Sequence, residues 1–224
     1  MNTPRIEVTV AAPVDAVWAA LRDKDQIRHW HGWEYEGLEA EIDLIFFTAY
    51  TESTDDHTLE IQGGDRFELS PVEGGTRITL TRAPHSDNAE WEAYYDDITE
   101  GWITFVHQFK FALERHPGEA RRTLFYAGTS ESALAAPVDG EPGTSYEVEL
   151  LGEVLRGRVW FRSEHQLGLT VDAWGDGLLI LSHVPPSEAK PDGSSMAVLT
   201  FYAVDPAPTD ARWTPYWMKG VEQR

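Results

Sequence analysis

The stretch from Asn88 to Arg115 limits what this chain can become more than any other. Trp91, Tyr94, Tyr95, Ile98, Trp102, Phe105, Phe109, Ala112 and Leu113 recur there at steps of three and four, the spacing that lines side chains along one face of an α-helix. Pro117-Gly118 ends the pattern, since proline cannot continue the hydrogen-bond ladder and glycine readily takes up the turn that follows. The reading is a single helix of about seven turns with one aromatic face. A helix of that kind needs a partner layer to cover the face, and the segments around it read as strands.

Ahead of the helix, Arg5 to Val10 alternates apolar and polar residues, the period of a half-buried strand. Val14, Val17, Trp18 and Leu21 follow at helical spacing behind Pro13, with Asp15 well placed for the helix dipole. Asp23 and Gln26 form a capping-box pattern for a second short helix ending near Trp30. From there the pattern predicts strands at Ile42 to Tyr50, Thr58 to Gln62, Arg66 to Val72 and Thr76 to Arg82, the last two joined by the turn Glu73-Gly74-Gly75. The second half reads as short strands at Arg121 to Ala127, Tyr146 to Leu151, Val154 to Arg162, Leu167 to Ala173, Leu178 to Val184 and Met196 to Val204. A short helix is expected at Ser130 to Ala136, a turn at Gly175-Asp176-Gly177, and a tail that docks through Trp213, Tyr216 and Trp217. The chain is therefore read as α+β, with one domain over 1–117 and a β-rich extension over 118–224 that either completes the first sheet or forms a lobe of its own.

Charge narrows the partners. With 38 acidic against 18 basic residues the formal charge is −20, which argues against nucleic acid and against anionic membrane surfaces, both of which need Lys and Arg to meet their phosphates. There is no cysteine, which removes disulfides, thiol catalysis and Cys-held metals together. No run of 18 apolar residues is present, and Met1 to Arg5 leads into a strand rather than an apolar signal core. A cytoplasmic protein is the expectation.

The order of these elements is identified with a known superfamily by particular residues. They are Ala12-Pro13-Val14-Asp15-Ala16-Val17-Trp18-Ala19-Ala20-Leu21, Ile27-Arg28-His29-Trp30, Gly74-Gly75-Thr76-Arg77-Ile78-Thr79-Leu80-Thr81, and Glu100-Gly101-Trp102 inside the long helix. In this order they resemble the SRPBCC/START-like (helix-grip) superfamily, and within it the branch similar to the C-terminal domain of heat-shock-protein-90 ATPase activators. The resemblance covers about half of the chain. It implies a curved antiparallel sheet gripping a long C-terminal helix, with a cavity between them that takes apolar molecules in many members. The short stretch between Trp33 and Glu41 departs from the family, which often has more strands there.

On that fold, Trp30, Trp33, Phe46, Phe47, Trp91, Tyr95, Ile98, Trp102 and Phe105 are the candidate ligand-facing residues, with Tyr50, Tyr95 or His29 available to orient a ligand. The competing reading of the same stripe is plain packing, because any helix on a sheet needs such a face. His29-Trp30-His31-Gly32-Trp33 is the densest local cluster. Its two histidines are candidates for a polar pocket; as metal ligands, even with Glu34 or Glu36, they are poor, because neighbours at i and i+2 point apart on a helix. No nucleophile elbow, dinucleotide fingerprint or phosphate-cradling loop is present, and no cofactor is expected. Three functions remain open: a carrier or sensor of a small apolar molecule, a cyclase/aromatase-like enzyme using the same cavity, and a protein-interaction module of the chaperone co-factor kind. A homodimer through the β-rich half is a further option, since strand edges need covering.

Overall fold

The computed structural model describes residues 3–85, 95–187 and 190–218. The chain divides into two compact units, Met1–Glu119 and Ala120–Arg224, each with its own antiparallel sheet and its own apolar core.

In the first unit, β1 (Arg5–Val10) leads into α1 (Val14–Arg22) and α2 (Lys24–Ile27). The capping pattern holds at α2, where the Asp23 side chain accepts from the backbone N–H of Gln26 at 3.1 Å. Strands β2 (Thr51–Ser53), β3 (Thr58–Glu60), β4 (Arg66–Val72) and β5 (Gly75–Thr81) then run as a meander, and β1 adds beside β5, giving the order β1-β5-β4-β3-β2. The register places Ile6 opposite Leu80, Val8 opposite Ile78, and Phe67 opposite Leu80, so one face of the sheet is continuously apolar and buried.

The long helix, described as α4 over Tyr95–Arg115, lays Trp102, Val106 and Phe109 into this same core. Its expected first turns, from Asn88 to Tyr94, lie outside the described residues, as does Trp91. The helix is pinned to β1 by polar contacts at its far end. Glu114 accepts from the Ala11 backbone N–H at 2.8 Å, and the Lys110 ammonium donates to the Thr9 carbonyl at 2.5 Å.

The strand expected over Ile42 to Tyr50 is a correction. The chain there is helical: α3 (Leu38–Ile42) runs directly into a π-helical stretch, Asp43–Thr48. A continuous apolar run does not by itself separate a strand from a buried helix. Burial separates them here, because Leu38, Ile42 and Phe46 are buried four apart while Leu44 is exposed. In a strand Ile42, Leu44 and Phe46 would share one face.

In the second unit, β6 (Arg122–Gly128), β7 (Ser145–Leu150), β8 (Glu153–Arg162), β9 (Gln166–Val171), β10 (Gly177–Val184) and β11 (Ser194–Phe201) form a six-stranded sheet in the order β6-β11-β10-β9-β8-β7. The short helix expected from Ser130 is a single 3-10 turn, Ser130–Ser132, since Pro137 and the following Gly/Pro loop give a longer helix nothing to continue into. Gly175 does mark a tight turn: it has φ of +72°, and a side chain there would meet the Tyr202 carbonyl oxygen. The tail forms α5 (Ala207–Met218), which buries Trp213 and Trp217 against the sheet.

Candidate functional site

The densest gathering of rings in the first unit is centred on His31, just past α2. Its imidazole is fully buried, with ring centroids of Phe105, Phe46, Trp30 and Trp102 at 4.7, 5.2, 5.7 and 5.9 Å. Trp30 anchors the group: its ring stacks on Phe109 at 4.4 Å, and its indole N–H donates to the Ala20 carbonyl at 3.1 Å. The Gln108 amide of α4 donates to the carbonyls of Trp30 and Gly32 at 3.0 and 3.2 Å, which clamps the loop to the helix. Gly32 allows this close turn, with φ of +61°.

His31 has a carboxylate partner. Its Nε2 lies 3.0 Å from Glu41 Oε1, and the Tyr35 hydroxyl donates to the other oxygen of Glu41. The His31 hydrogen bond, and after it that of Tyr35, holds the Glu41 carboxyl below its ordinary value in spite of partial burial. Desolvation, together with Glu41 beside it, pushes the Tyr35 phenol up to about 12. With the carboxylate ionised, Nε2 of His31 is the protonated nitrogen. The chain Tyr35–Glu41–His31 thus runs from an exposed phenol to a ring-enclosed imidazole.

A second polar group adjoins the same rings. Trp102 lies 5.5 Å from Phe67 and 5.9 Å from Phe105, and its indole N–H donates to Asp65 Oδ2 at 2.7 Å. The other oxygen of Asp65 accepts from the Ala83 backbone N–H at 2.7 Å and faces Nε of Arg82 at 3.4 Å. Arg82 in turn stands over the Tyr95 ring, 4.7 Å from its centroid, and the Tyr95 hydroxyl donates to the Ala83 carbonyl at 2.6 Å. Both Asp65 and Arg82 are buried.

Of the residues singled out in the sequence, Trp30, Phe46, Trp102, Phe105 and His31 converge. Trp33 is half-buried at the edge of the group, 6.2 Å from Phe105, and Ile98 is packed on the same core. Tyr95 is buried beside Arg82. Tyr50 is exposed; the Arg22 guanidinium lies 4.6 Å from its ring centroid and 5.1 Å from that of Phe47. Both follow from the helical course of residues 43–48, which turns these side chains away from the positions a strand would have given them. His29 is half-buried. The carboxylate that meets His31 is Glu41, ten residues on, while Glu34 and Glu36 are exposed. Among the described residues no group of three His, Asp or Glu is placed to hold a metal ion.

Glu41, Asp65, Arg82 and Gln108 were not singled out from the sequence. Glu41 and Arg82 sit at the ends of apolar runs, and Asp65 follows Gly63-Gly64 in what reads as a polar turn. Only the pairing of distant segments brings them inside. Gln108 alone left a trace, a polar residue on the helical repeat directly before Phe109.

No protein-family profile matches the chain, and no curated protein matches it. Among solved structures it is similar to DynU16, a putative protein of the dynemicin biosynthetic locus, at 14% identity over 100% of each chain with a TM-score of 0.35. It is similar to the Aha1 dimer from Colwellia psychrerythraea at 16% identity, over 52% of this chain and 99% of that one, with a TM-score of 0.38. The di-domain ARO/CYC StfQ of the steffimycin biosynthetic pathway is matched at 11% identity, over 93% of this chain and 87% of that one, with a TM-score of 0.35. The activities in those names belong to those proteins. No described helix is long and apolar enough to cross a membrane. The chain is α+β, and in its first unit an antiparallel sheet and a long helix close on one apolar core, the helix-grip arrangement.

Proposed function

We propose that the first unit binds a small apolar or aromatic molecule against the rings of α4, as a carrier or sensor. The observation that carries the reading is His31, a wholly buried imidazole held by Glu41 and walled by Phe46, Trp102 and Phe105. A core that only had to pack would gain the same contacts from an apolar ring, without the cost of dehydrating a polar one. Small-molecule sites combine apolar walls with a few fixed polar groups, which is the composition found here. Phe105 and Trp33, both half-buried, supply the rim through which a ligand would reach the wall.

The test is native mass spectrometry of the full chain as purified, followed by organic extraction, and titration with an environment-sensitive apolar dye. A co-purifying apolar compound or saturable dye uptake, weakened by Phe105→Ala, is the expected result. An empty chain that takes up no dye would return the rings to ordinary packing. The same His31–Glu41 pair is the specific feature that favours the cyclase/aromatase-like alternative, because a carboxylate-oriented imidazole is suited to general acid–base work. That alternative requires turnover with a bell-shaped or single-limbed pH profile that His31→Gln abolishes.

A further inference from the structure

Arg82 is 5% exposed, just past the end of β5. Its partner Asp65 is already engaged at both oxygens, by the Ala83 backbone N–H and by the Trp102 indole, each at 2.7 Å. The Arg82 Nε contact to Asp65, at 3.4 Å, is an ion-pair distance rather than a formed hydrogen bond. In consequence Nε and Nη1 of Arg82 are buried and meet no hydrogen-bond acceptor among the described residues. Buried donors are served in nearly all native proteins, and a charged donor left unserved is the costliest exception. Asp65 links Arg82 to the ring cluster, meeting Arg82 Nε at 3.4 Å with one oxygen and the Trp102 indole at 2.7 Å with the other.

We infer that Arg82 is the polar anchor of the ligand site, donating from Nη1, with Nε beside it, to a neutral carbonyl oxygen on a flat apolar molecule. This deepens the apolar-ligand reading and rests on it. The ligand class is an aryl ketone or quinone-like compound, its ring against Trp102 and its oxygen toward the guanidinium. Charge selects a neutral acceptor over a carboxylate. Asp65 already supplies the counter-charge to Arg82, so an anionic ligand would set a second negative charge beside it where water screens poorly. A carbonyl oxygen accepts from the free donors and adds no charge.

The test is fluorescence titration of the full chain with three naphthalenes of matched size: 2-ethylnaphthalene, 2-acetylnaphthalene and 2-naphthoate. The expected order is the ketone about tenfold tighter than the ethyl compound, the equivalent of one hydrogen bond to a charged donor, with naphthoate no tighter than ethyl. Arg82→Met removes the ketone's advantage and leaves the ethyl affinity in place. Arg82→Lys keeps a charge opposite Asp65 but not the fork of donors, and serves where the Met variant fails to fold. Equal affinity for ketone and ethyl compound overturns the inference while the apolar-ligand reading stands. So does naphthoate as the tightest of the three, or a ketone advantage that survives in both variants. Binding of none of the three overturns the inference and the reading together.

Discussion

Each unit lays an aromatic helix face on an antiparallel sheet, yet the two faces are furnished differently. In the second unit the Tyr126 ring is stacked with Trp213 and Trp217 at 6.1 and 6.0 Å, and Trp174 lies 4.7 Å from Phe201 and 6.1 Å from Trp213. The polar handles there are two half-buried carboxylates: the Tyr126 hydroxyl donates to Asp210 at 2.6 Å and the Trp174 indole to Glu153 at 3.1 Å. Trp213 and Trp217 keep buried indole N–H groups without an acceptor among the described residues, a neutral defect and a modest one. In the first unit the rings enclose His31 and border Asp65 and Arg82, three buried ionisable groups. An aromatic stripe alone does not tell core from site. The proposed site is read from the ionisable groups buried along it, whose dehydration cost packing alone does not require.

The comparison would break most visibly at the extremes of packing. Trp213→Ala empties a fully buried position in the second unit and is expected to cost about 3–5 kcal/mol, the usual range for removing a buried large ring. Chemical denaturation reads that loss in the second unit's transition, while dye affinity should stay unchanged. Loss of dye binding in this variant would put the ligand on the wrong unit.

Acid should also separate the two. On α4, burial and then the neighbouring Lys110 bring the His107 imidazole down to about 3. Its folded value lies below the ordinary 6.5, so the unfolded chain takes up the proton first. The stabilisation is complete above pH 6.5 and drains as pH falls from there toward 3. Between pH 7.5 and 4.5 the first unit is expected to lose about 2–3 kcal/mol on this account, and His107→Leu should remove most of that slope. In the second unit the Asp210 carboxyl, held down by Tyr126 and then Thr214, has its effect below 3.8. That unit should therefore hold over the same range; parallel losses in both would leave His107 without a special role. Smaller is the effect of Phe105→Ala, a half-buried position, with about 1–2 kcal/mol of stability lost against a fall of about tenfold or more in dye affinity. Equal small effects on both would make Phe105 mere packing.

How far the sequence reaches is clearest at three places. The period of Trp102, Phe105 and Phe109 set both the long helix and its buried face, because helical spacing is a local property. Asp43 to Thr48 defeated the same reasoning: six residues with few polar breaks carry no period, and the choice of helix was made by Ile42 and Phe46 finding the core. Of the polar half of the candidate site only His31 was legible. Asp65 and Arg82 look like a turn aspartate and a strand-end arginine, and their burial exists only once β4, β5 and α4 are assembled. Rings announce themselves by spacing, whereas a buried ion pair is a contact between segments that nothing local encodes.

The smallest expected effect is the sharpest control. Tyr126→Phe keeps the ring that stacks on Trp213 and Trp217 and deletes only the hydroxyl that donates to Asp210. Asp210 is half-buried and also accepts from Thr214 at 2.7 Å, so water and that hydroxyl replace most of what is lost. A cost of about 1 kcal/mol is expected, in the range of a single hydrogen bond at a half-buried position. The matching deletion in the first unit, Trp102→Phe, takes the indole donor from a buried carboxylate, and should cost about 2–3 kcal/mol. Denaturation of the two variants side by side measures what burial of the acceptor adds. If Trp102→Phe proves no costlier than Tyr126→Phe, then Asp65 is wetter than its surroundings indicate, and Arg82 with it. The polar group beside the rings would then be a solvated rim rather than a sealed anchor.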